Sequence, residues 1–202
     1  MLNFYRFSLK CSTKNKKLVN KPKFHLIILV LSGPENVERR NSIRETWLSQ
    51  KQTEVKNLFP IGLIKLRLEQ KQAIESENEK FKDLLLLPEL LDSYGTVTKK
   101  ILQSFVHVYE NYDFNYLLKG DDDSFILVDK ILNDLDKWQK KGSKKELYWG
   151  YFNGRARVKK SGPWKEVDWF LCDYYLPYAL GGGYVLSYNL VKFIVKNVDV
   201  LK

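Results

Sequence analysis

From Phe24 to Leu118, short apolar runs alternate with longer segments of helical period, and this alternation constrains the fold more than any other feature. Phe24–Leu31 is almost wholly apolar and rich in Ile, Leu and Val, as expected of a strand covered on both faces. Ser32-Gly33-Pro34 breaks it, and Glu35–Ser49 follows with mixed charge and helical character. Leu58–Ile64 reads as a strand weakened by Pro60 and Gly62, Leu66–Lys80 as a charged helix, and Asp83–Leu87 as a further strand. Val97, Ile101, Phe105 and Val108 recur at three- and four-residue steps, marking one face of a long helix. Phe114–Leu118 is the next strand and runs straight into Asp121-Asp122-Asp123. Strand and helix alternating in this way predict an α/β fold, with a mostly parallel central sheet flanked by helices and joined by right-handed crossovers. Ligands of such sheets sit outside the carboxyl ends of the strands, which directs attention to residues 32–44 and 119–125.

Composition adds a boundary. With 44% hydrophobic and 29% charged residues in 202, the chain reads as an ordinary globular protein long enough to bury a core. Its net charge of +10 is uneven: residues 1–23 carry Arg6, Lys10, Lys14, Lys16, Lys17, Lys21 and Lys23 and no acid. Those seven leave +3 for the other 179 residues. The reading is therefore a basic, disordered leader over 1–23 before one domain over 24–202. Such a leader suits anionic membrane, nucleic acid or sulfated glycan, or nothing beyond solvent; the charge alone argues for no nucleic-acid partner of the domain. No apolar run approaches the roughly 18 residues needed to span a bilayer. The two cysteines, Cys11 in the leader and Cys172 in an aromatic segment, need not pair, and no Asn-x-Ser/Thr site occurs.

After residue 145 the texture changes. Tyr148–Tyr184 holds eleven aromatic residues in 37 positions, with Gly181-Gly182-Gly183 among them. Trp149, Trp164, Trp169, Tyr174, Tyr175 and Tyr178 suit either sugar-ring stacking or core packing. The glycines let backbone approach a ligand closely or simply make a turn.

The triple aspartate is the sharpest chemical signal. In an extended segment Asp121 and Asp123 point to the same side, where both reach one hard cation such as Mg²⁺ or Mn²⁺. The competing reading is that these acids favour the start of a helix near 127–138. Calcium-loop spacing is excluded, because Phe125, Ile126 and Leu132 stand where ligands and glycine are required. Arg40 and Arg44, four apart, share a helical face after the first strand, where guanidinium forks suit phosphate. The alternative is a solvated helix pairing with Glu38 and Glu45. His25 and His107 lack metal-ligand spacing, and His25 is expected to be a satisfied structural residue.

Three ordered stretches, Arg39-Arg40-Asn41-Ser42-Ile43-Arg44-Glu45-Thr46-Trp47, Lys119-Gly120-Asp121-Asp122-Asp123-Ser124-Phe125 and Gly181-Gly182-Gly183-Tyr184-Val185-Leu186-Ser187, resemble glycosyltransferase family 31 in content, order and separation. Residues 147–158 and 171–180 are similar to the members that extend the glycosaminoglycan–protein linker. The resemblance covers roughly 24–198. It implies a GT-A fold, UDP-galactose as donor, Mn²⁺ as cofactor, inversion at the sugar, and an acceptor of galactosyl-β-1,4-xylose on a proteoglycan core protein. Under it, Asp121 and Asp123 hold the metal, and Arg40, Arg44, Lys119, Asp121 and Asp122 bind the UDP-sugar. Trp149, Trp169, Asp173, Tyr174, Gly182 and Gly183 border the acceptor.

Family members also carry a membrane anchor that holds them on the lumenal side of the Golgi membrane. They carry a downstream Glu-Asp-Val, whose Asp serves as base, and a later His for the metal; neither occurs before Lys202. The expectation is a domain incomplete at its C-terminus, with no base named, since Asp168 and Asp173 do not match the family position. The alternative is a non-catalytic module that binds UDP-sugar or glycan.

Overall fold

The computed structural model describes residues 20–50, 52–140, 146–162, 165, 166, 169 and 172–201. The leader through residue 19, Cys11, Trp164 and Asp168 lie outside them. Strand β1 (Lys23–Leu31) lies at the middle of the sheet and is covered on both faces. Leu26, Ile28 and Val30 enter one core, and Ile27 and Leu29 the other, as the period of two dictates. The leader ends earlier than its composition suggests. Lys21 already donates to the Tyr109 carbonyl at 2.9 Å and lies over its ring, and Lys23 opens β1.

Helix α1 (Val37–Glu45) leads to β2 (Val55–Gly62), α2 (Leu68–Phe81) to β3 (Leu84–Leu87), and α3 (Val97–Asn111) to β4 (Asp113–Asp121). These four strands are parallel, in the order β3-β2-β1-β4. Helix α4 (Val128–Lys140) follows, and then the two strands that sequence patterning did not resolve. Strand β6 (Tyr178–Ser187) pairs antiparallel with β4, and β5 (Tyr148–Asn153) antiparallel with β6 at the edge. Helix α5 (Tyr188–Lys196) closes the described chain. Ile43, Ile74, Leu132 and Leu135 from α1, α2 and α4 pack on one face of the sheet. Phe105, Val108 and Val191 from α3 and α5 pack on the other.

The expected helix over 35–49 is shorter at both ends. The Thr46 hydroxyl turns back to the Ser42 carbonyl at 2.6 Å, and Leu48 N–H bonds the Ile43 carbonyl five residues back, so the last turn widens and stops. The chain leaves β1 toward β2 and β3, then crosses back to place β4 on β1's other side. The carboxyl ends of β1 and β4 therefore flank a topological switch point, where a doubly wound sheet opens a cleft. Among the described residues no helix is long and apolar enough to cross a membrane.

Candidate active site

Two loops meet at that switch point: residues 32–36 after β1, and the turn 121–124 after β4. Their union is held by Asp122. Its backbone N–H donates to the Leu31 carbonyl at 3.1 Å, and its carboxylate accepts from Asn36 Nδ2 at 2.8 Å and Arg39 Nη1 at 2.9 Å. The Arg39 guanidinium is held above its ordinary pKa by this bond and by the charge of Asp122. The sequence reading passed over Arg39 in favour of Arg40 and Arg44; Arg39's place in the first turn of the helix, two residues after Val37, was the available signal.

Arg40 and Arg44 need correcting. Both turn inward instead of toward a nucleotide. Arg40 is fully buried and forms a two-pronged pair with Glu77 of α2, Nε to Oε1 at 2.8 Å and Nη2 to Oε2 at 2.7 Å. It also donates to Ser32 Oγ at 3.0 Å and to the Gly33 carbonyl at 2.5 Å. Arg44 reaches Glu77 at 2.7 Å and both oxygens of Asp83 at 2.8 and 2.9 Å, with its guanidinium over the Phe81 ring at 4.0 Å. Nor is this the solvated helix paired with Glu38 and Glu45. A buried guanidinium is tolerable only when charge-paired, and Glu77 supplies that charge. Burial is the largest single influence on Glu77 and raises its pKa, but the bonds and charges of both arginines outweigh it and hold the carboxyl below its ordinary value.

A second inward cation supports the same loop. Lys100 of α3 donates to the Ser32 carbonyl at 2.6 Å and to Asp92 Oδ2 at 2.6 Å, and the same oxygen accepts Gly62 N–H at 3.0 Å. Burial pushes the Lys100 ammonium below its usual pKa, only partly offset by Asp92, Asp122 and Glu35. Arg40 and Lys100 thus draw the 32–33 carbonyls toward the protein interior from two sides.

The triple aspartate is not extended. Ser124 N–H bonds the Asp121 carbonyl at 3.2 Å, so 121–124 is a turn, and the strand-alternation argument for Asp121 and Asp123 does not apply. The helix-start alternative also fails, because α4 begins at Val128 and the acid of its first turn is Asp129. The three carboxylates meet different surroundings. Asp122 is clamped as described. Asp121 Oδ1 accepts from Lys119 Nζ at 2.5 Å. Asp123 is exposed, with no hydrogen-bond or ion-pair partner among the described residues. Lys119, almost wholly buried, also donates to the Gly181 carbonyl, and Ser124 Oγ donates to the Gly182 carbonyl at 3.3 Å. The aspartate turn is thereby tied to β1 on one side and to β6 on the other.

Beyond β6 a groove of about 500 Å³ opens between the start of α4 and strands β5 and β6, with Phe125, Trp149, Tyr151, Gly182 and Gly183 among its walls. A Cβ on Gly182 would meet nothing within 4 Å, so this glycine leaves the groove open instead of relieving a clash. Trp149, Gly182 and Gly183 of the expected acceptor set line it. Trp169, Asp173 and Tyr174 do not. Trp169 donates to the Cys172 carbonyl and packs edge-on to Tyr175; Tyr174 lies under Arg157; Asp173 is exposed beside Lys160. A second cavity, about 640 Å³ between residues 46–57 and 125–130, includes none of the three aspartates. His25 is only half satisfied: Nδ1 meets Asn115 at 3.0 Å, while Nε2 is buried without a hydrogen bond, 3.6 Å from Asp136.

Among the described residues no three His, Cys, Asp or Glu side chains converge on one point. Asp123 and the second oxygen of Asp121 are nevertheless hard oxygen donors, and they fit a divalent cation that takes its remaining ligands from a diphosphate or water.

The mostly parallel sheet thus carries the aspartate turn at its switch point, with a glycine-lined groove beside it. Residues 38–202 match the galactosyltransferase family model, and the chain belongs to that family. It is 46% identical over 184 residues to beta-1,3-galactosyltransferase 6 of Mus musculus, covering 89% of this chain and 56% of that protein. It is 34% identical over 177 residues to hydroxyproline O-galactosyltransferase GALT2 of Arabidopsis thaliana, covering 85% and 25%. It is 33% identical over 131 residues to UDP-GalNAc:beta-1,3-N-acetylgalactosaminyltransferase 2 of Danio rerio, covering 65% and 26%. The chain spans about half the length of the first relative and about a quarter of the other two. Among solved structures, a 4-diphosphocytidyl-2C-methyl-D-erythritol synthase from Anaerococcus prevotii overlaps with a TM-score of 0.47 at 9% identity, over 89% of this chain and 77% of that one.

Proposed function

We propose that the chain is the nucleotide-sugar-binding part of an inverting β-1,3-galactosyltransferase. It would take UDP-galactose and pass galactose to a terminal β-galactoside, with the galactosyl-xylosyl linker of proteoglycans as the natural acceptor and the Golgi lumen as the place of action. The observation that carries the donor half is the Asp122 clamp, which fixes the aspartate turn at the switch point, while Asp123 is exposed and has no partner among the described residues. Family membership and the mouse relative's name support the sugar and the linkage.

A divalent ion, Mn²⁺ in this reading, would be held by Asp121 and Asp123 and supplies Lewis-acid neutralisation of the leaving diphosphate. The chain's own residues do the positioning. Arg40, Glu77 and Lys100 fix the 32–36 loop; Asn36 and Arg39 fix Asp122; Lys119 and Ser124 bind the turn to β6. This preorganisation removes the reorganisation that flexible ligands would otherwise require. The groove beside Gly182 offers an aromatic wall, Trp149 and Tyr151, to the apolar face of an acceptor sugar. Direct displacement also needs a base opposite the leaving group, and none is assigned.

The test is transfer. The purified chain is incubated with UDP-galactose, Mn²⁺ and a galactosyl-xylose glycoside, and product linkage is read by mass spectrometry and NMR. A β-1,3-linked galactose supports the reading. UDP-galactose binding without transfer leaves the donor site standing for a part that has no assigned base, whereas no UDP-galactose binding by the folded chain removes the reading altogether.

A further inference from the structure

We propose that Lys119 sets how this site takes its divalent ion. Its buried ammonium neutralises Asp121, so the protein alone holds the ion weakly and holds it firmly only together with a nucleotide diphosphate. The inference rests on the donor-site reading above and deepens it.

The charge count at the turn carries the argument. Three aspartates stand in sequence, but two already have cations. Asp122 is paired with Arg39 at 2.9 Å, and Asp121 with Lys119 at 2.5 Å. Only Asp123 is without a partner among the described residues, so an approaching cation meets about one net negative charge instead of three.

The Lys119 pairing is built into the sheet. Lys119 lies in β4 opposite Tyr184 of β6, and its side chain is 4% exposed. Its Nζ has the Gly181 carbonyl as second acceptor, so the ammonium is held by main chain as well as by Asp121. A buried lysine held from two sides does not move aside into solvent without losing both bonds. Tyr184, across the strand, does not compensate: burial first, then Tyr148 and the Asp121 charge, keep its phenol protonated. A diphosphate changes the balance by bringing several anionic oxygens to the same place, which offset the ammonium and complete the ion's ligands. Lys119 is therefore a positioning residue that makes ion binding conditional on nucleotide.

The experiment is calorimetric titration of Mn²⁺ into the folded chain, with and without saturating UDP, for wild type, Lys119→Met and Lys119→Arg. Wild type is expected to bind Mn²⁺ alone at least about a hundredfold more weakly than with UDP. Lys119→Met should tighten binding of Mn²⁺ alone by about tenfold or more, as removal of a like charge a few ångströms away requires. Lys119→Arg, which keeps the charge, should stay within about threefold of wild type. Wild-type Mn²⁺ affinity that is the same with and without UDP overturns the proposal, and so does a folded Lys119→Met no tighter than wild type. The wild-type comparison stands even if Lys119→Met does not fold. If UDP binding is metal-dependent and lost in Asp123→Ala while Lys119→Met fails to tighten, only the role of Lys119 falls. If UDP does not bind at all, the donor site itself falls.

Discussion

Replacing Glu77 with glutamine keeps the volume of the side chain and removes the one charge that both motif arginines share. Arg44 would retain Asp83 at 2.8 and 2.9 Å. Arg40 would not: its other acceptors, Ser32 Oγ and the Gly33 and Pro34 carbonyls, are neutral, and it is fully buried. An uncompensated buried cation costs about 3–5 kcal/mol, out of a total stability of roughly 5–15 kcal/mol for a domain. Urea unfolding should therefore show a large fall in midpoint at unchanged slope. Arg40→Met combined with Glu77→Gln should recover more than half of the loss, because the stranded charge is gone. The pH dependence gives a second reading of the same pair. Glu77 titrates below its ordinary value of 4.5 in the folded chain, so its stabilisation is complete above that value and disappears as pH falls through the folded one. The gap between wild type and Glu77→Gln should accordingly close on acidification below 4.5. A Glu77→Gln cost under about 1 kcal/mol, or a gap that widens in acid, would refute the reasoning.

Two glycines of the β5–β6 region should behave oppositely. A Cβ on Gly150 would lie 2.8 Å from Ala179 Cβ and 3.1 Å from the Gly183 carbonyl, so Gly150→Ala should cost about 1–3 kcal/mol in chemical unfolding. Gly182→Ala meets open space and should leave the unfolding midpoint nearly unchanged while raising the acceptor KM. Asp122→Ala removes the clamp from Asn36 and Arg39 and should lower transfer by about ten- to a hundredfold through misplacement of the turn, with thermal stability little altered.

The parallel half of the sheet was legible because β1 and most of β4 are buried on both faces, and the Ile, Leu and Val run of β1 admits few other readings. Strands β5 and β6 were not. Their Tyr-Trp-Gly-Tyr-Phe and Ala-Leu-Gly-Gly-Gly runs are partly exposed and break the alternation that marks a strand. The aspartates drew attention to the turn after β4 for a reason that does not hold, since residues 121–124 reverse where an extended strand was assumed. Arg40 and Arg44 were misread because spacing along a helix reveals a shared face and not what that face meets. Glu77 lies 37 and 33 residues away, and only the packing of α2 against α1 brings it there.

The central claim is a donor site built on the aspartate turn, and titration of UDP with Mn²⁺, with EDTA, and into Asp123→Ala tests it most directly. Binding is expected with Mn²⁺ and is lost in EDTA and in the folded variant. UDP binding that is indifferent to metal and to Asp123, or absent from folded wild-type protein, would contradict it.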